Sequence, residues 1–114
     1  MRLTQYEREI YNKTGNALRD LTTLTGKIPD ELNLSLICLL NRDMRNSKKF
    51  LDDVKKRMDT ASEFLVEVPG ALKKHRGIRE EVKQKIISEL EILSCVVESF
   101  KPQIDMLSEM QSKL

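Results

Sequence analysis

The sequence predicts an all-α fold, arranged as an antiparallel three-helix bundle with long second and third helices. Three observations carry that expectation: apolar residues recur every three to four positions along most of the chain, turn formers are scarce, and strand formers are few. Of 114 residues, 39% are apolar and 33% charged, with four Gly, three Pro, two Tyr, three Phe and no Trp. A chain of this length makes one domain, here residues 1–114.

The first helix opens at Thr4, which forms a capping box with Glu7. Tyr6, Ile10, Ala17, Leu21 and Leu24 then recur at helical spacing as far as Gly26, a residue suited to a helix C-terminus. Helix one is expected over about 4–25. Gly26-Lys27-Ile28-Pro29-Asp30-Glu31-Leu32 reads as a stop followed at once by a restart, with Pro and two acids in the new first turn. From there a stripe runs through Ile37, Leu40, Met44, Ser47, Leu51, Val54, Met58, Ala61, Leu65 and Val68, stepping three and four in alternation. The unbroken phase predicts one helix over about 30–67, which at 1.5 Å per residue is about 57 Å long.

Pro69-Gly70 is expected to end that helix, because the residue before Pro is pushed out of the α region. A third pattern, from Ile78 through Val82, Ile86, Leu90, Leu93 and Val97 to Leu107, predicts a helix over about 78–112. Pro102 falls inside it and predicts a kink or break near 98–102. Helices two and three outreach helix one and leave some seam bare at one end. Arg45, Lys49, Asp52, Lys56, Asp59 and Glu63, spaced four and three in alternation, form a charged row read as a solvent face.

Several function classes are disfavoured at this point. Twenty Lys and Arg against 18 Asp and Glu give a net charge of +2, too little field for a polyanion partner. The local basic cluster of Lys73, Lys74, Arg76, Arg79, Lys83 and Lys85 holds no aromatic for a base to stack on, so no nucleic acid is expected. No phosphate loop, nucleophile elbow or metal-ligand spacing is found; the expected protein is not an enzyme and takes no cofactor or metal. Cys38 and Cys95 sit in apolar stretches and read as buried free thiols in a reducing compartment. A charged N-terminal stretch and the lack of a long apolar run predict a soluble chain with no membrane partner, in the cytoplasm and with the nucleus open to it.

Four segments then acquire a common meaning. Gly26-Lys27-Ile28-Pro29-Asp30-Glu31-Leu32, Ile37-Cys38-Leu39-Leu40-Asn41-Arg42-Asp43-Met44-Arg45, Met58-Asp59-Thr60 and Arg76-Gly77-Ile78 with Val82 follow one another at a familiar spacing. Together, over about residues 17–100, they resemble the BAG domain of cochaperones that act on the seventy-kilodalton heat-shock chaperones. The resemblance implies a three-helix bundle whose second and third helices grip the chaperone's ATPase domain, tilt one lobe and release ADP. It places an acidic contact on Asp59 and a basic pair on His75 and Arg76. An earlier acidic contact falls on Lys49 with its sign reversed, leaving nearby Asp52 as the substitute, and a helix-three glutamine falls on Lys83 with Gln84 beside it. The alternative expectation is a non-catalytic coiled-coil scaffold or self-association module with a different helical partner, and a homodimer is compatible with either.

Overall fold

The computed structural model describes residues 2–114, and these form five α-helices and no strand. They are α1 (Gln5–Gly26), α2 (Ile28–Leu40), α3 (Met44–Lys74), α4 (Glu80–Glu98) and α5 (Lys101–Lys113). The helices stack as three columns in a rod measuring 57 × 18 × 17 Å. α2 prolongs α1, α3 stands alone, and α5 prolongs α4. Glu7 meets Arg79 near one end and Ser35 meets Gln111 near the other, so the first and third columns run the same way. Between them α3 returns beside α2, bringing Ser47 to Ser35 and Arg57 to Glu31.

α1 starts as its sequence requires. The Thr4 hydroxyl accepts the Glu7 amide at 3.1 Å and the Glu7 carboxylate accepts the Thr4 amide at 3.0 Å, satisfying two donors that a helix start leaves open. At Lys27 the backbone stays right-handed (φ −82°, ψ −13°), so the chain steps into α2 without reversing. The stop and restart around Gly26 and Pro29 are present, but they make a joint within a column rather than a hairpin.

The single helix over about 30–67 is not formed. The chain reverses at Asn41-Arg42-Asp43, where Arg42 adopts a left-handed φ of 62°. The Asp43 amide donates to the Cys38 carbonyl at 2.8 Å and the Arg42 amide to the Leu39 carbonyl at 3.0 Å, the two bonds of a Schellman C-cap. Asp43 then caps α3 by accepting the Asn46 amide at 3.3 Å. The cause lies in a second stripe on α2. Ile28, Leu32, Ser35 and Leu39 are buried when α2 folds back on α3, whereas Ile37 and Leu40, which a straight helix would have used, stay exposed. From Met44 onward the expected phase holds, with Ser47, Leu51, Val54, Met58 and Ala61 buried.

Nor does Pro69 end α3. The helix continues to Lys74 and seats Leu72 in a cluster with Ile78, Val82, Ile86 and Leu90. One lost amide bond at Pro69 costs less than leaving that leucine in water together with the apolar end of α4. The third column breaks at Ser99-Phe100, inside the interval that Pro102 predicts, with Pro102 in the first turn of α5. The all-α class therefore stands, as does a first helix close to 4–25, while the helices expected over about 30–67 and 78–112 are each divided, the former between two columns.

Candidate protein-binding surface

Along α3, the side opposite Leu51, Val54 and Met58 is a ridge of six charged residues, Arg45, Lys49, Asp52, Lys56, Asp59 and Glu63, all exposed. Helical geometry places them there: the row keeps the same alternation of three and four as the core stripe, half a turn away. Arg57 lies outside the row and is already engaged. Its guanidinium grips the Glu31 carboxylate of α2 with three hydrogen bonds of 2.7–3.0 Å, which raises its pKa. Asp52 and Asp59 form no ion pair among the described residues. They lie about 10 Å apart along the helix.

The link between α3 and α4 holds the basic residues, and most of them have structural work. The Gly77 amide donates to His75 Nδ1 at 3.1 Å, so the neutral ring carries its proton on Nε2 and donates it to the Tyr6 hydroxyl at 2.6 Å. A Cβ on Gly77 would come within 3.0 Å of the Tyr6 ring, and the close approach of the link to α1 depends on that glycine. Next to it, Arg79 holds Glu7, a carboxylate only 1% exposed. The guanidinium donates to it at 2.9–3.1 Å, the Arg79 amide donates at 3.0 Å, and Arg79 also reaches the Arg2 carbonyl. The Arg79 side chain, then the Thr4 and Arg79 amides, hold the Glu7 carboxyl down to about 2 from 4.5. Tyr11 of α1 donates to Glu89 of α4 at 2.7 Å, which pushes the tyrosine hydroxyl above its ordinary value.

Of the six expected contact residues, then, Asp52, Asp59 and Arg76 are exposed and form no ion pair among the described residues. Gln84 is exposed and donates to Glu80 at 3.1 Å. His75 is half-buried and serves as a clamp for the link. Lys83 is only 8% exposed, because its stem lies along the bundle, and it offers no outward contact. The set does not converge on one point: Asp59 and Arg76 lie about 25 Å apart along the rod, a spacing that suits an extended partner face and no small molecule. Sequence reasoning missed the Glu7–Arg79 latch; the capping box marked Glu7, but nothing in the sequence pairs it with a residue 72 positions away.

A second surface lies on the other side of the rod, between the first and third columns. A channel of about 510 Å³ runs there between Leu18 and Pro29 on one wall and Ile92, Val96 and Phe100 on the other. Its hydroxyls are spent on their own helix, Thr22 on the Leu18 carbonyl at 2.8 Å and Thr25 on the Leu21 carbonyl at 2.9 Å. The thiols depart from expectation as well. Cys95 is exposed and Cys38 half-buried, since Cys38 falls one residue before the buried Leu39 and Cys95 two residues from both Leu93 and Val97, on the outer side of its helix. Among the described residues, no helix is long and apolar enough to cross a membrane. No family model, curated protein or solved structure matches the chain.

Proposed function

We propose that this chain is a non-catalytic cochaperone of the BAG type, which binds the ATPase domain of a seventy-kilodalton heat-shock chaperone and promotes ADP release. The observation that carries the reading is the α3 ridge: Asp52 and Asp59 stand exposed on a long helix and form no ion pair among the described residues, with Arg76 exposed beyond its end. The sequence resemblance assigns contact roles to Asp59 and Arg76, and Asp52 is the acid available where Lys49 reverses the expected sign. All three lie beyond the reversal at Asn41-Arg42-Asp43, so the break leaves the ridge whole. Gln84 takes the contact on α4, and His75 and Lys83 act only through the fold.

The mechanism is differential binding. A partner that grips the open arrangement of the ATPase lobes more tightly than the closed one lowers ADP affinity by that difference, and no bond-making residue is required. The test is release of a fluorescent ADP from the purified ATPase domain, chased with excess nucleotide. The chain accelerates release, and Asp59→Ala, a surface change that leaves the core untouched, weakens the effect roughly thirtyfold in the concentration required, about 2 kcal/mol. Release that is unchanged by the wild-type chain rejects the proposal.

A further inference from the structure

The channel between the first and third columns has no part in the chaperone reading, which uses the opposite side of the rod. We propose that it is the interface of a homodimer, in which two rods lie antiparallel about a two-fold axis at the level of Lys27 and Ser99.

The channel does not stop at the joint. Beyond it, Leu36 and Asn33 of α2 face Gln103, Met106 and Leu107 of α5 across a further cleft of about 300 Å³. Pro29, Asn33, Leu36 and Leu40 follow one another at helical spacing on α2, as do Phe100, Gln103 and Leu107 on the third column, so the two clefts are stretches of one uncovered face. That face is apolar and wet: Ile92 is 69% and Met106 53% exposed. Lone exposed apolar residues need no explanation, but a continuous run of them does.

Three properties make a second copy the occupant. First, the lining carries one charge, Glu89, whose carboxylate is occupied by the Tyr11 hydroxyl, so two copies of the face meet without opposing like charges. Second, the face is self-complementary about the joint. Ile92 lies seven residues before Ser99 and Met106 seven after it, so the two-fold axis sets the flexible Met106 of one copy over the channel beside Ile92 of the other. Third, the length fits. From Leu18 to Leu40 the face runs about 33 Å, so covering it takes an occupant as extended as a second rod. A small apolar ligand would fill the wider stretch and leave Leu36 and Met106 in water.

Sedimentation velocity of the full chain from about 1 to about 200 μM reads the proposal directly. The wild type passes from monomer to dimer across that range. Ile92→Glu and Met106→Glu each raise the midpoint at least about tenfold while the helical spectrum is unchanged, and Val66→Glu, at a residue 75% exposed on α3, leaves the midpoint where it was. An equimolar mixture of Ile92→Lys and Met106→Glu re-forms dimers, because the two positions face each other across the axis. A wild type that stays monomeric overturns the proposal, as does a Val66→Glu variant impaired like the others or a mixture that stays monomeric. Uptake of an apolar dye by such a monomer, abolished by Ile92→Glu, assigns the channel to a small apolar ligand instead.

Discussion

Glu7 is almost wholly shut away from solvent and still ionised, because the Arg79 guanidinium and the Thr4 and Arg79 backbone amides surround it with donors. Its carboxyl sits at about 2 in the fold against 4.5 in the free state. A carboxyl depressed by folding stabilises the native state at pH values above 4.5, and the contribution fades as the pH falls toward 2. Thermal unfolding followed between those limits is expected to show a melting temperature that drops with acid. Glu7→Gln should lower the melting temperature by more than about 5 °C at neutral pH and flatten that acid dependence. An unchanged slope in the variant would mean that the latch does not link α1 to the start of α4. At this scale the sequence was informative wherever a side chain answers to its own helix. Asp52 and Asp59 are outward because spacing makes them so, and the Thr4–Glu7 box is local. It was uninformative wherever the partner is remote: His75 is a clamp only because Tyr6, 69 positions earlier, lies against it.

The reversal at Asn41-Arg42-Asp43 was hidden by two overlapping periodicities. Ile28, Leu32, Ser35 and Leu39 make one apolar stripe and Ile37, Leu40 and Met44 another, and both are spaced as a helix demands, so phase alone cannot say which is buried. Tertiary packing decides for the first. Ser35 and Ser47 let α2 and α3 approach closely, each hydroxyl donating to the other's carbonyl at 2.8 Å. The usable signal was Asp43 ahead of Asn46, a helix start without a glycine before it. Arg42 pays the steric cost of a left-handed residue that glycine would not. Arg42→Gly is therefore expected to stabilise the protein by roughly 1 kcal/mol in denaturant titration, whereas inside a continuous helix the same change would destabilise by a similar amount. The joint at Ser99-Phe100, by contrast, was legible, since Pro102 can sit in a helix only near its start.

For the molecule as a whole, the all-α class was readable from composition and periodicity, and the placing of the columns was not. One reversal moves residues 28–40 out of the expected gripping helix and into the first column. That shift leaves the charged ridge alone on α3 and opens the apolar face between the other two columns, the two surfaces on which the proposed chaperone contact and the proposed dimer rest. The arrangement of the columns, and with it the proposed dimer face, depends on the chain turning back at Asn41-Arg42-Asp43. The most direct measurement is the distance between spin labels at Asp30 and Asp59, two exposed positions flanking the Glu31–Arg57 contact, in a protein whose native Cys38 and Cys95 are replaced by Ser. The fold described here predicts a label separation below about 25 Å, and a distribution centred near 44 Å, the span of about 29 residues of unbroken helix, would contradict it.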